Sequence, residues 1–314
     1  DQRYRNLIGQ TTVLPILGRE LPIIGDDYVD METGTGALKI TPAHDPNDYE
    51  IGHRHDLEPV NILNNDGSLN ENAGANYRGL DRFTARKQIV TDLEARDVLL
   101  KIVPHRHAVG HHDRCDNVVE PCLSPQWYIN VKPLADRALE ASRKGDIVFI
   151  PERETRRFHQ WMESIQPWAI SRQRWWGHQI PIWYCDNCDQ LTCELEDPTT
   201  CAHCGDGNIH RDPDVLDTWF SSGLWPFSTM GWPEKTDLLQ TFYPTSVLVT
   251  GWDILFFWVS RMIMLGLECM DQVPFEYVYL HGLVADEHGQ KMSKSKGNTI
   301  DPVETIEQYG TDAF

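Results

Sequence analysis

The stretch "SVLVTGWDILFFWVSRMIMLGLECM" (246–270) decides the fold class. It is apolar enough to suggest a membrane span, but Asp253 and Arg261 interrupt it and Gly251 splits it. The segment therefore reads as a buried strand ending at Gly251, followed by an apolar helix. Asp253 falls where a carboxylate caps such a helix. Ligands of open α/β sheets bind where strands end and helices start, so Gly251 and Asp253 also stand where a ribose or an amino acid would bind. On these residues alone, capping and ligand binding remain equal readings of Asp253.

Outward from this stretch, residues 214 onward read strand, turn, helix, strand, loop, helix, the grammar of an α/β nucleotide-binding unit. The second strand, "YVYLHGLVAD" (277–286), passes through a "DEHG" turn into "GQKMSKSKGN" (289–298). There Lys291, Lys294 and Lys296 lie between Gly289 and Gly297. Three ammonium groups on a backbone loosened by flanking glycines suit a loop that closes over a strong anion; a solvated basic turn is the plainer alternative. Asp301, Pro302 and Glu304 then spell a helix start: cap, first-turn proline and capping-box acid.

Toward the N-terminus the pattern changes. Residues 1–110 alternate apolar and polar in short runs broken by Gly, Pro and Asn, which predicts a β-rich domain. Within it, 81–97 has helical spacing, with Phe83, Ile89, Val90 and Leu93 as its apolar residues. Residues 134–174 read as helical and rich in Arg and Trp. Cys185 and Cys188 form one C-x-x-C and Cys201 and Cys204 another, and two such turns can present four thiolates to a tetrahedral Zn2+. Four sulfurs leave no position for water, so the expected role is structural; four unrelated buried cysteines are the alternative. Cys193, between the pairs, is expected to be a spare. "HRHAVGHHDRC" (105–115) lacks paired spacing and reads as a polar surface segment. "GTGALK" (34–39) places Lys39 where a dinucleotide fingerprint needs its third glycine, and no Walker-type phosphate loop occurs.

Composition sets the remaining limits. At 314 residues, two or three domains are expected, and 40% hydrophobic with 24% charged residues is the balance of a globular protein. A net charge of -19 argues against indiscriminate nucleic-acid binding, although a local basic groove can still hold a phosphate backbone. No charged-then-apolar leader opens the sequence, and half of the cysteines have metal-site spacing, so a reducing cytoplasm is expected. There is no starting Met, and both ends are abrupt; a piece of a longer protein is the expectation.

"KMSKS" (291–295) resembles the signature loop of class I aminoacyl-tRNA synthetases. "WAISRQRWWGHQIPIWYC", "DPDVLDTWFSSGLWPFSTMGWP", "HGLVADEHGQKMSKSKGN" and "GTGALKITPAHDPNDYEIG" resemble the valine branch of that family, essentially from end to end. The resemblance implies ATP with Mg2+ as substrate, met by Gly251, Asp253, His281 and Gly282 at strand ends and by Met292, Ser293, Lys294 and Ser295 in the loop. It gives Lys294 the main role in stabilising the transition state, with Lys291 supporting. It implies a valine pocket walled by Trp219, Ile254 and Trp258.

An apolar pocket rejects the nearly isosteric threonine only weakly, so such enzymes need a second, hydrolytic site. By position, Lys39, Thr41, Asp45 and Asp48 would line it, with Asp48 holding the ammonium of the misacylated threonine; no residue is assigned as general base. The resemblance further implies four regions: an editing domain portion (1–114), a connecting part of the catalytic domain (115–184), a zinc ribbon (185–213) and the second half of a Rossmann-type catalytic domain (214–314). Its implied partners are valine, ATP and tRNA(Val), with no membrane and a monomer as the full-length enzyme. The family's His-x-Gly-His is absent, so a central piece, inactive alone in adenylation, is expected. An isoleucine-type relative, a zinc-containing module without catalysis and a hydrolase editing in trans are the alternatives, and "ALKITPAHDPNDY" (37–49) reads as valine-type.

Overall fold

The computed structural model describes residues 2–112, 115–293 and 297–313. The chain forms two compact units, residues 1–125 and 126–314.

In the first unit, β1 (Thr11–Val13) and β2 (Glu20–Pro22) form an antiparallel hairpin with Val13 opposite Glu20. α1 (Pro46–Arg54) starts with a proline and is capped by Asp45, whose Oδ1 accepts the N–H groups of Asn47 and Asp48 at 2.8 and 3.0 Å. α2 (Arg82–Glu94) is capped in the same way by Asp81. The helix expected at 81–97 is therefore present, but its buried residue is Ala85, while Phe83 and Ile89 are exposed. A small core gathers Leu69, Ala73, Tyr77 and Ala85.

The β-rich expectation for 1–110 needs correction. Among the described residues of this unit the named strands are β1 and β2, with isolated bridges such as Leu63–Leu69 and Ser68–Asp81. Competition from side chains is visible around Asn61. Asn70 and Asn72 both donate Nδ2 hydrogens to the Asn61 carbonyl, at 3.1 and 2.8 Å, so backbone groups that a ladder would use are satisfied locally.

The second unit begins with β3 (Tyr128–Ile129), α3 (Lys132–Lys144), β4 (Val148–Ile150) and α4 (Arg153–Glu163). β5 (Trp168–Ala169) pairs with β3, and β6 (Ser171–Arg172) pairs with β10 further on. β7 (Ile182–Cys185), β8 (Leu191–Cys193) and β9 (Ile209–Arg211) make an antiparallel ribbon with β7 in the middle. β10 (Val215–Leu216), α5 (Thr218–Gly223), α6 (Trp225–Ser228) and α7 (Asp237–Phe242) lead to β11 (Thr245–Gly251). α8 (Ser260–Cys269), β12 (Phe275–His281) and α9 (Pro302–Tyr309) follow.

β11, β12 and β4 form one parallel sheet in that order, with Gly251 beside His281 and Tyr279 beside Ile150. Parallel neighbours need a crossover, and α8 supplies the one between β11 and β12. Every residue of α8 from Ser260 to Leu267 is buried, as an all-round apolar helix requires. Phe149, Phe158, Leu255, Met262, Ile263, Phe275 and Val278 fill the core around it. α3 buries a stripe at Ala135, Ala138, Leu139 and Ser142 and ends at Gly145, whose φ of 85° suits a residue without Cβ.

β4 is a second correction, since 134–174 reads as helical. "IVFI" (147–150) is β-branched and alternates, with Ile147 and Phe149 buried and Val148 and Ile150 exposed, so it forms a strand between two helices. The sheet thus draws on both the 115–184 and the 214–314 segments. The 246–270 stretch is strand and helix, and among the described residues no helix is long and apolar enough to cross a membrane.

Candidate functional site

β11 and β12 end side by side, so Gly251 and His281 mark the carboxyl edge of the parallel sheet. The chain does not enter α8 directly from there. A 3-10 turn, Trp252–Ile254, and a π turn, Leu255–Val259, come first. Asp253 lies inside the first of these turns and does not cap α8, which corrects the capping expectation. Its carboxylate is instead paired with Lys291 Nζ at 2.5 Å. Gly251 makes room for it: a Cβ at that position would lie 2.7 Å from Asp253 Oδ1 and 3.0 Å from Leu283. His281 Nδ1 donates to the Gly282 carbonyl at 2.6 Å, and the space beside Gly282 is open.

Lys291 arrives from the loop that follows β12. Asp286 closes the "DEHG" turn by accepting the N–H groups of His288 and Gln290 at 3.0 and 2.7 Å, with Gly289 at a φ of 73°. Asn298 ties the two stems together. Its Nδ2 donates to Asp286 at 2.7 Å, and its Oδ1 accepts the Ser293 N–H at 2.8 Å. Met292 and Ser293 are part-buried beside this clamp. Lys294 and Ser295, assigned from the sequence, lie outside the described residues. Asn298 and Asp286 are site residues that the sequence reading missed, although both fall within the "HGLVADEHGQKMSKSKGN" motif.

The residues that the resemblance implies as walls of a valine pocket come from neighbouring segments. Trp219, on α5, stacks with Phe257 at 6.2 Å, and Trp258 donates Nε1–H to the Ser222 carbonyl at 3.0 Å. Trp219, Ile254 and Trp258 are all part-buried. Behind Trp219 stands the buried Asp217, which accepts the Trp219 N–H at 3.3 Å and Trp168 Nε1–H at 3.0 Å and pairs with Arg172 at 2.8 Å. Arg261 stacks over Trp168 at 4.2 Å, and burial lowers its guanidinium to about 10 against the pull of Asp217. The signal for this support was "DPDVLD" followed by "TWF", but no spacing rule pairs Asp217 with Arg172 and Trp168.

In the ribbon, β7 and the turns beside it bring Cys185, Cys188, Cys201 and Cys204 together, with all four sulfurs within 4.8 Å of one another. Cys185 and Cys204 lie 3.6 Å apart and Cys188 and Cys201 3.7 Å, and all are free thiols. Zn–S bonds of about 2.3 Å in a tetrahedron place sulfurs about 3.8 Å apart, so the donor set fits zinc. N–H groups of Cys204 and His203 lower the pKa of the Cys201 thiol and favour its thiolate. Cys193 is outside the cluster, as expected of a spare. Among the described residues no other such group of three or more His, Cys, Asp or Glu converges, the His-rich 105–112 included.

In the first unit, Lys39 Nζ donates to Thr41 Oγ1 at 2.9 Å, and the Thr41 N–H donates to Asp48 Oδ2 at 2.7 Å. Asp45 is the α1 cap. The four residues therefore form one short network. Lys39 also lines a cavity of about 700 Å3 with Ile40, Pro42 and Asp26, and the other three are not in its lining. His44 is engaged at both nitrogens: Nδ1–H donates to the Pro121 carbonyl at 2.9 Å, and Nε2 accepts the Ile62 N–H at 3.0 Å. That fixes a structural tautomer and leaves no nitrogen for base chemistry. Asp26 was not foreseen. The Tyr28 N–H, His55 and Arg54 hold its carboxyl down at about 2.

The family model for class I tRNA synthetases (I, L, M and V) matches residues 28–314. A valine–tRNA ligase of Clostridium perfringens is 56% identical over 314 residues, covering all of this chain and 36% of that protein. One of Thermotoga maritima is 56% identical over 312 residues, covering 99% of this chain and 36% of its own length. A solved Mycobacterium tuberculosis methionyl-tRNA synthetase in complex with methionyl-adenylate shares 18% identity over 65% of this chain and 35% of its own, with a TM-score of 0.46. The chain thus spans about a third of the length of the curated relatives it matches.

Proposed function

The chain belongs to the class I tRNA synthetases of the isoleucine, leucine, methionine and valine group, and from that premise we propose that it serves valine–tRNA ligation. In this reading valine is activated by ATP and transferred to tRNA(Val). The observation that carries it is the Lys291–Asp253 pair, which ties the lysine loop to the carboxyl edge of the parallel sheet. That edge is where nucleotides bind in such folds.

Gly251 and His281 border the space for the nucleotide, and Asp253 offers a carboxylate to the ribose or to the ammonium of the amino acid. A polyphosphate at the strand ends competes with Asp253 for Lys291, so the pair opens as the loop engages its ligand. Lys291 and Lys294 then face the charge that grows on the phosphoryl oxygens and the leaving pyrophosphate. Mg2+ arrives with ATP and shares that neutralisation. Trp219, Ile254 and Trp258 select valine by apolar contact, with Asp217 holding Trp219 in place.

The remaining assignments follow the same reading. The first unit carries hydrolytic editing, with the charge of Asp48 directed at the misacylated threonine. The four cysteines hold a structural Zn2+ that keeps the ribbon folded and takes no part in catalysis. The regions are those of the resemblance: 1–114 for editing, 115–184 connecting, 185–213 for zinc and 214–314 for the nucleotide half. The enzyme works as a cytoplasmic monomer.

The test is valine-dependent exchange of pyrophosphate into ATP by the enzyme that contains this chain. Lys294→Ala should lower the maximal rate by roughly a hundredfold and change the apparent ATP constant far less, as for an interaction strengthened in the transition state. Exchange at the wild-type rate would remove the loop from the chemistry.

A further inference from the structure

Arg261 is the one charged side chain in the buried run of α8 from Ser260 to Leu267. It is 7% exposed, and its Nε and Nη1 are buried with no hydrogen-bond partner among the described residues. A guanidinium buried without a full set of acceptors opposes folding, and an apolar residue of similar length fills such a space without that cost. The next three residues of α8, Met262, Ile263 and Met264, are of that apolar kind. A charge at this position therefore calls for a use beyond packing.

The guanidinium carbon lies 4.2 Å from the centre of the Trp168 ring, and that indole donates Nε1–H to Asp217 Oδ2 at 3.0 Å. Trp168 thus stands between a cation on its face and a carboxylate at its edge. Asp217 Oδ2 also takes Arg172 at 2.8 Å, and Asp217 Oδ1 accepts the Trp219 N–H at 3.3 Å, which caps α5. At the other end of α5, a Cβ on Gly223 would lie 3.3 Å from Arg261 Cβ and 2.7 Å from Leu265. Arg261 therefore meets α5 twice, at its start through Trp168 and Asp217 and at its end by direct packing. Trp219 sits in the first turn of α5. Trp258, three residues before Arg261, donates its indole N–H to the Ser222 carbonyl at 3.0 Å, so the facing wall is tied to the same short helix.

We propose that Arg261 is a positioning residue of the amino-acid pocket: through Trp168 and Asp217 it fixes where α5 holds Trp219 against Trp258, and so sets the discrimination between amino acids that differ by one methylene. The choice of substrate rests on the ligase reading above; the linkage from Arg261 to Trp219 does not. Arg261 acts through the wall and makes no contact with the amino acid itself.

The experiment has two arms. In the enzyme that contains this chain, pyrophosphate exchange into ATP is measured with valine and with isoleucine for Arg261→Met and Arg261→Lys. Arg261→Met should lower the ratio of kcat/KM for valine over isoleucine roughly tenfold, raising the valine KM while the ATP KM changes by less than about twofold. Arg261→Lys keeps the charge but loses the flat stacking fork, so its ratio should recover in part and stay about threefold below wild type. A loss shared equally by both amino acids, an equal rise in the ATP constant, or wild-type discrimination in the Lys variant would overturn the proposal. The second arm is fluorine NMR of the 314-residue chain labelled with fluorotryptophan, each resonance assigned by a Trp→Phe variant. Arg261→Lys should move the Trp168 and Trp219 resonances and leave that of Trp183, in the ribbon, where it is. This arm and the Lys ratio decide the matter even if Arg261→Met does not fold. An unmoved Trp219 resonance would overturn the linkage. A moved one, in an enzyme with no amino-acid-dependent exchange, would refute the ligase reading and leave the linkage standing.

Discussion

At Gly251 a single methyl group decides whether Asp253 can stand at the strand end. The backbone there has a φ of -69°, which alanine adopts freely, so Gly251→Ala acts through close contacts, the shortest with the Asp253 carboxylate and the next with Leu283. Valine-dependent exchange should fall by roughly tenfold or more with little change in the melting temperature, as expected when a site group is displaced by an ångström. A full rate in that variant would show that the position of Asp253 is immaterial. Asp48 allows a sharper separation. Asp48→Asn keeps an oxygen for the Thr41 N–H but loses the charge, whereas Asp48→Ala loses both. If the charge holds the threonine ammonium, both variants should be slow in deacylating threonyl-tRNA(Val); a fully active Asn variant would reduce Asp48 to a loop anchor. Asp26 bears on stability. Its folded pKa, about 2, lies below the ordinary 3.8, so the carboxylate stabilises above that ordinary value and this contribution fades as pH falls toward about 2. Asp26→Asn should flatten the acid side of the stability curve between about pH 5 and about pH 2, measured by denaturant unfolding. A curve with unchanged slope would mean that its partners do not discriminate the charged form.

Among the elements, the ribbon was the most legible from sequence, because ligand spacing is a local property. Two C-x-x-C turns fix where four sulfurs can meet, whatever the rest of the chain does. Removing one sulfur should remove the metal: elemental analysis should find one zinc in the wild-type chain and none in Cys188→Ser, with protease cutting between β7 and β9 in the variant. Full zinc content in that variant would exclude Cys188 as a ligand. The caps at Asp45, Asp81 and Asp301 depend equally on neighbours in sequence, and Asp301 accepts the Val303 N–H at 2.8 Å as its spacing requires. β4 was not legible, since three residues between two helices give little periodicity and its strand partner, β12, lies about 130 residues away. The N-terminal alternation failed for a different reason. Asparagine side chains there hydrogen-bond backbone carbonyls such as that of Asn61, a local alternative to a ladder. The turns after β11 were hidden as well, because an apolar run reads alike in α, 3-10 and π form.

At the scale of the molecule, the parallel order β11, β12, β4 and the crossover through α8 create one edge on which separate parts of the sequence meet. Gly251, Asp253, His281 and Lys291 come from segments up to forty residues apart, and the fold makes them neighbours. The motif text identified those residues; only the sheet register and the Asn298 clamp explain why they converge. Amino-acid choice is the least visible property at this scale, because the family model spans four specificities and the proposed pocket walls, two tryptophans and an isoleucine, are residues that any core uses. The most direct test of the central claim is therefore pyrophosphate exchange into ATP by the enzyme containing this chain, run in parallel with valine, isoleucine, leucine and methionine. The account predicts the highest kcat/KM for valine, with isoleucine lower by the cost of fitting one more methylene against the proposed walls Trp219, Ile254 and Trp258. A higher kcat/KM for isoleucine, leucine or methionine, or no exchange that depends on an amino acid, would contradict it.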